Sequence, residues 1–428
     1  MSQSFFRGLR VIALVGLCAW SALAHAAVEP SFADFDRRAR AGEPLSVVFF
    51  GASLTWGANA TDPLLTSYRA VFADRLREAY PLARFRFWDA AIGGTGSQLG
   101  VFRLDRDVLS RRPDLVLLDF SANDNISTDD RETLSSYEAL VRRIVLEAHA
   151  PVVQVIFPFR WDVESGTLEK MKRRTAHRAI SESYQTALGD AIQLARERVA
   201  AGATTLNELW PDDGVHPGNT GYVLFADAAW SAFQAAIEAK RVCRAPEKML
   251  YDETYLTSTR TRLSSLQPLP VGWQVGRPHL VSAYFDMLMS RWLDDEVVAG
   301  GQPAAGSDGK PATAVEPGRL STNFRGSMVM LFGESTVKSG KYRVWLDGKV
   351  VEHRENGERS PLVPLFDAGN LGRRSGGNTH HVQVIATGLD PHVTHRIEIE
   401  PVFDAPDQEL RLESICVAGA LPADGAGK

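Results

Sequence analysis

Cysteine is nearly absent from this chain, at three in 428 residues, and one of the three, Cys18, sits in an apolar run at the N-terminus. That leaves Cys243 and Cys416, too few for a cysteine-based metal framework. His380, His381, His392 and His395 come without a carboxylate cluster at ligand spacing, so they read as surface residues and no metal or other cofactor is expected. Beyond the first residues no segment is apolar enough to span a bilayer. Basic runs are missing too. The formal net charge is −5, which makes nucleic acid and anionic membranes poor partners. Neither an internal repeat nor a heptad pattern is present, which excludes solenoids and coiled coils.

The N-terminus reads as an address. Arg7 and Arg10 precede the apolar run Val11 to Leu23, which ends in Ala24-His25-Ala26. A positive start, a short apolar middle and small residues at an A-x-A site predict a secretory signal peptide over residues 1–26, hence a secreted or periplasmic protein. The run is short for a membrane span, and Leu17 stands before Cys18 where a lipoprotein signal wants a small residue. No membrane insertion is expected after cleavage. In an exported protein the pair Cys243 and Cys416 suggests a disulfide tying the two halves of the chain together. No oligomeric state is legible.

The roughly 400 residues that remain suit two domains. From Pro44 to about Lys240 strands and helices alternate. Leu45–Phe50, Phe85–Trp88, Leu115–Phe120 and Val152–Phe157 read as strands, and helical spacing recurs at Thr66–Glu78, Arg131–His149, Leu168–Val199 and Thr220–Ala239. Such alternation predicts a parallel sheet covered on both faces, with ligands at the carboxyl ends of its strands. After Cys243 short β-rich runs alternate with Gly, Asp and Asn turns, among them Met328–Phe332, Tyr342–Leu346, Val382–Ile385 and Arg396–Ile399. Asp347-Gly348 is a hairpin signal, and Gly300 to Gly318 reads as a loop. The expected division is 27–243 for an α/β domain and 244–428 for a linker and an all-β sandwich.

Four short segments carry chemistry: Gly51-Ala52-Ser53-Leu54-Thr55, Gly93-Gly94-Thr95-Gly96, Ser121-Ala122-Asn123-Asp124 and Asp213-Gly214-Val215-His216-Pro217. Ser53, Gly94 and Asn123 each follow a predicted strand directly and so project to one edge of the sheet. A serine in a tight turn past a buried strand is exposed for attack, provided a base removes its proton. His216 is the candidate base. An Asp three residues before a His can curl back to hold its Nδ1 and turn Nε2 toward the serine; Asp213 has that spacing, with Asp212 adjacent. Glycines permit close backbone approach, and an Asn side chain offers N–H donors.

In this order the segments resemble the SGNH (GDSL-type) hydrolase family, over about Leu45 to Ala239. The resemblance implies a flavodoxin-like three-layer α/β sandwich followed here by a jelly-roll-like β-sandwich, and a serine esterase working through an acyl-enzyme without a cofactor. It makes Ser53 the nucleophile, His216 the base and Asp213 its carboxylate, with Ser53 N–H, Gly94 and Asn123 as oxyanion donors. Gly93 and Gly96 lie close to Gly94. Two positions depart from the pattern: Ala52 stands where an Asp is usual, and Ser121 where a Gly is usual.

Export, the appended β region and the lack of an apolar stretch near Ser53 favour a carbohydrate ester, with an acetylated polysaccharide or oligosaccharide as partner. Hemicellulose or pectin of plant cell walls would suit. Trp56, Trp161 and Trp210 fall on loops at the catalytic edge and are candidates to stack on sugar rings. The rivals are a lipolytic or lysophospholipid esterase, and a polysaccharide acetyltransferase or glycan-binding protein.

Overall fold

The structure is a computed structural model that describes residues 29–124, 130–164, 166–283, 293–300, 316–354 and 360–420. The expected signal peptide and most of the loop Gly300–Gly318 lie outside the described residues.

A five-stranded parallel sheet forms from β1 (Pro44–Gly51), β2 (Arg84–Ala91), β3 (Leu115–Leu118), β4 (Val152–Ile156) and β5 (Ala187–Asp190), in the order β2-β1-β3-β4-β5. The continuous apolar run of β1 follows from burial on both faces. Phe49 meets Tyr68 and Phe72 at ring distances of 6.1 and 6.2 Å on one side, while Phe50 meets Phe120 at 5.1 Å on the other. The helices Phe32–Arg40, Tyr68–Ala79 and Asn219–Glu238 pack together on one face, and Ser97–Asp107, Arg131–Arg143 and Lys172–Tyr184 on the opposite one. Strands β1 and β2 pair as far as Gly51↔Ala91, and β1 and β3 as far as Phe50↔Leu118. Three chain segments therefore leave the sheet side by side at its carboxyl edge.

One element differs from the expected pattern. The helical stretch expected over Leu168–Val199 is two helices, Lys172–Tyr184 and Ala191–Ala200, separated by β5. Gln185 turns into the left-handed region at φ 54°, and the Asp190 side chain caps the second helix through Gln193 N. Gly189 brings β5 against the backbone of the helix Asn219–Glu238, where a Cβ would lie 2.9 Å from Ala229 N.

The C-terminal region is built mainly of two antiparallel sheets, beside the short antiparallel pair His353–Arg354 and Leu362–Val363. One runs Thr379–Ala386, Met328–Ser335, Glu409–Ala418, Glu296–Gly300, Trp273–Gly276, with Ser258–Arg262 also pairing Glu409–Ala418; the other runs Lys349–Val350, Lys341–Leu346, His395–Val402, Leu320–Phe324. Asp347 and Gly348 both take positive φ, 51° and 77°, as the expected hairpin turn requires. Every residue of Met328–Ser335 is buried, because the strand serves two cores. Val329 and Leu331 point into the sandwich; Met328, Met330 and Phe332 join Cys416 and Ala418 in the core of the α/β part.

That arrangement overturns two expectations. Cys243 and Cys416 are free thiols, not a disulfide. Cys416 packs from the sheet face into the junction, whereas Cys243 follows the bridge Ser31↔Val242 and bonds Pro30 O through its N–H. Burial pushes both thiols up to about 12, so each stays protonated and inert. His380, His381 and His395 are not surface residues either, at 3%, 7% and 6% exposure. They belong to strands with burial on one or both faces, and polar partners make this tolerable: Tyr342 Oη lies 2.8 Å from His381 Nε2, and Asp347 Oδ2 lies 2.8 Å from His395 Nδ1. His392 is exposed.

Candidate active site

Strand β1 ends at Gly51, where a Cβ would fall 2.1 Å from Thr55 Oγ1 and 2.4 Å from Asp119 O. Only glycine lets the chain turn so tightly, and the turn delivers Ser53 as the first residue of the short helix Ser53–Trp56. Ser53 Oγ is 3.1 Å from His216 Nε2, and His216 Nδ1 is 3.2 Å from Asp213 Oδ2. A carboxylate can only accept, so Nδ1 carries the proton and Nε2 faces the serine with its lone pair.

Asp213 is shaped for that task by its own turn. Its Oδ1 accepts from Val215 N and His216 N, both at 2.7 Å, and its Oδ2 from Asn59 Nδ2 at 2.9 Å. Partial burial would raise this carboxyl, but the donors, led by His216 N and Val215 N, bring it below the ordinary value. It stays ionised opposite His216. Asp212, the adjacent acid, is exposed and takes no part in this arrangement. The side chains of His216 and Asp213 are 28% and 46% exposed, so the site opens broadly to solvent.

Beside Ser53 runs the loop after β2. A Cβ on Gly93 would lie 3.5 Å from Ser53 Cβ, and Gly94 has φ 74°, the left-handed region where a side chain is strained. Asn123 is exposed in the turn after β3. Asp124 ties the two loops together: its Oδ1 accepts from Ser97 N at 2.7 Å and packs so close to Gly96 that a Cβ there would be 2.8 Å away. Ser121, one of the two departures from the family pattern, donates through Oγ to Asp119 Oδ1 at 3.1 Å, so its hydroxyl steadies the same turn. Ala52, the other, is fully buried.

Arg103 was not legible in the sequence, since nothing local marks it. From the helix Ser97–Asp107 its guanidinium donates to Ala90 O at 2.6 Å and Gly51 O at 2.9 Å, and it lies 4.5 Å above the Phe50 ring. It thus clamps the ends of β1 and β2, the two strands that launch Ser53 and Gly94. Asn59 was equally unmarked, whereas Asp124 belongs to the third segment without a role of its own there.

The tryptophans divide. Trp161 is 46% exposed, stacks on Phe159 at 4.7 Å and abuts the catalytic turn, where a Cβ on Gly214 would be 3.0 Å from its ring. Trp56 is half-buried at the end of the helix that begins with Ser53. Trp210 is excluded as a sugar platform: it is 2% exposed and part of the core, behind the capped helix Leu206–Leu209.

The buried Asp124 gives a pH signature. Burial pushes its carboxyl from 3.8 up to about 8, against the opposing pull of the Ser97 donors. Between those two values the folded chain holds a proton that the unfolded chain releases, so this group's contribution to stability falls as pH rises. Asp124→Asn keeps an oxygen acceptor for Ser97 N and removes that slope. The variant is expected to gain in Tm over the parent at pH 8 relative to pH 5, as thermal unfolding at the two values would show.

Residues 49–224 match the GDSL-like Lipase/Acylhydrolase family, and the segment spans all four motifs together with the hydrogen-bonded Ser53, His216 and Asp213. The chain is a carboxylic ester hydrolase. No curated protein matches it. Among solved structures, a two-domain esterase (CEX) active on acetylated mannans, co-crystallized with mannopentaose, is similar at a TM-score of 0.69 and 22% identity, over 91% of this chain and 95% of that one. A second structure of a two-domain esterase (CEX) active on acetylated mannans gives 0.67 and 21%, with the same coverage. At such identities the likeness is one of fold, and it extends from the GDSL-type part through the C-terminal sheets. Among the described residues no group of His, Cys, Asp and Glu is placed to hold a metal, and no helix is long and apolar enough to cross a membrane.

Proposed function

We propose that this chain is an exported serine esterase that removes O-acetyl groups from a polysaccharide, with an acetylated mannan as the first candidate. The observation that carries the proposal is the chain of contacts Ser53–His216–Asp213 at the open carboxyl edge of the parallel sheet, beside Gly94 and Asn123. Ser53 attacks the acetyl carbonyl while His216 Nε2 takes its proton, and Asp213 stabilises the imidazolium that forms. The oxyanion is held by the backbone N–H of Ser53 and Gly94 and the side chain of Asn123. His216 returns the proton to the departing sugar hydroxyl, and a water that it activates then releases acetate from Ser53.

Support for a carbohydrate substrate comes from the openness of the site, which suits a polymer, and from Trp161, held flat by Phe159 next to the catalytic turn. The resemblance in fold to an esterase active on acetylated mannans runs the length of both parts. The N-terminal pattern supports export. The division at 243 and 244, with the C-terminal sheets as a carbohydrate-binding module, belongs to the same reading.

A series of aryl esters from acetyl to decanoyl tests it: turnover falls steeply with chain length, whereas a preference for long chains would make the enzyme lipolytic. Trp161→Ala tests the platform. Loss of a stacking contact of about 1.4 kcal/mol raises KM for an acetylated manno-oligosaccharide about tenfold and leaves aryl acetate unaffected. Equal effects on both substrates would remove Trp161 from the substrate site.

A further inference from the structure

We propose that Asn59 is a positioning residue for the catalytic carboxylate, so that the loop leaving the nucleophile's helix also sets the Asp213 side chain against His216. The proposal rests on the esterase reading above.

Asp213 divides its two oxygens between two tasks. Oδ1 is held by its own turn, accepting from Val215 N and His216 N at 2.7 Å. Oδ2 faces the imidazole and accepts from His216 Nδ1 at 3.2 Å, and the same oxygen accepts from Asn59 Nδ2 at the shorter distance of 2.9 Å. The Asn59 nitrogen also lies 3.5 Å from His216 O. One amide therefore spans both members of the pair. The Asp213 side chain is 46% exposed, so water competes for the second acceptor place on Oδ2 wherever a fixed donor does not fill it. A donor built into the protein leaves Oδ2 committed to Nδ1, and a hydrogen bond to an ionised acceptor is a strong one.

Asn59 is itself fastened on both sides. Before it, Gly57 N and Ala58 N both donate to Ser53 O, at 2.9 and 3.1 Å. After it, Thr61 N donates to Asn219 Oδ1 at 3.0 Å, and Asn219 Nδ2 donates in return to Thr61 Oγ1 at 2.8 Å. The fully buried Tyr222 donates through Oη to Ala58 O at 2.6 Å. Asn219 and Tyr222 lie in the first turn of the helix that follows His216, so the loop joins the nucleophile's helix to the segment of the base. Within it Asn59 takes φ 66°, a left-handed conformation that asparagine adopts more readily than most residues. Glycine and aspartate would suit that backbone as well. Of the three, only asparagine brings side-chain N–H donors to Oδ2.

The full-length chain is tested with an acetyl ester and with proton NMR of the low-field signal from the Nδ1 proton between His216 and Asp213, identified by its absence in His216→Ala. Asn59→Gly keeps the backbone and removes the donor. It is expected to lower kcat about tenfold or more with KM within about twofold, and to shift or broaden the signal. Asn59→Asp keeps the shape, sets a second carboxylate against Oδ2 and loses at least as much; it carries the test if the glycine variant fails to fold. Thr61→Ala cuts the bond from Asn219 Nδ2, leaves Asn59 in place, and is expected to keep both kcat and the signal. Parent kcat and an unmoved signal in the 59 variants would overturn the proposal. So would an equal kcat loss in Thr61→Ala, which would reduce Asn59 to one loop anchor among several. Absence of turnover in the parent enzyme would instead overturn the esterase reading, and the signal then decides the Asn59 contact by itself.

Discussion

On the proposed mechanism, Ser53→Ala and His216→Ala are each expected to lower kcat for an acetyl ester by about 10⁶-fold, and the double replacement to lower it little further. The two side chains act as one unit. Ser53 Oγ, 3.1 Å from His216 Nε2, is a nucleophile only while that nitrogen can take its proton, and His216 has nothing to activate once the hydroxyl is gone. The proposal assigns the residual rate above water to Gly94, Asn123 and substrate binding, which neither replacement touches. Single and double variants assayed on one aryl acetate decide the point. Losses that multiply would mean that the two residues act independently.

Asp213→Asn is the second large effect, a loss of about 10³–10⁴ in kcat with the fold retained. Both carboxylate oxygens now accept: Oδ1 from Val215 N and His216 N, Oδ2 from His216 Nδ1 and Asn59 Nδ2. An amide has one acceptor. If its oxygen stays on the backbone donors, its NH₂ faces Nδ1, which must then accept, and the ring proton moves to Nε2. His216 in that tautomer presents a donor to Ser53 and cannot serve as base. If the amide flips, its NH₂ opposes two backbone N–H groups. Either orientation fails, so the loss is one of kcat with KM little changed. The same ratio of kcat to KM losses should not appear in Asp212→Asn, since Asp212 is exposed and outside the hydrogen-bonded set.

Local chemistry was what the sequence exposed well. Strands β1, β3 and β4 were legible because burial on both faces forces continuous apolar runs, and Ser53, Asp213 and His216 because each acts within, or at the end of, a short turn. β5 was not. Its four residues, Ala187–Asp190, lie between two helices and carry too little pattern to interrupt them. Asn59 reaches Asp213 across 154 positions, and Arg103 reaches Gly51 across 52, so neither role leaves a trace near its own residue. The same limit explains the misreadings. Compartment argues for oxidation of Cys243 and Cys416, but only their placement decides whether two sulfurs meet. Trp161 and Trp210 are both expected on loops at the catalytic edge, yet one lies on the surface against Phe159 and the other is in the core. His380 and His381 looked like surface residues because the local pattern did not reveal that their strand is buried on both sides.

The most direct measurement is acetate released from an acetylated mannan by the parent enzyme and by Ser53→Ala under the same conditions. Removal of acetyl groups by the parent, with none above the uncatalysed background in the variant, is the expected result. Acetate release by Ser53→Ala at the parent rate, or none by the parent while it cleaves long-chain esters rapidly, would contradict a serine esterase of acetylated polysaccharides.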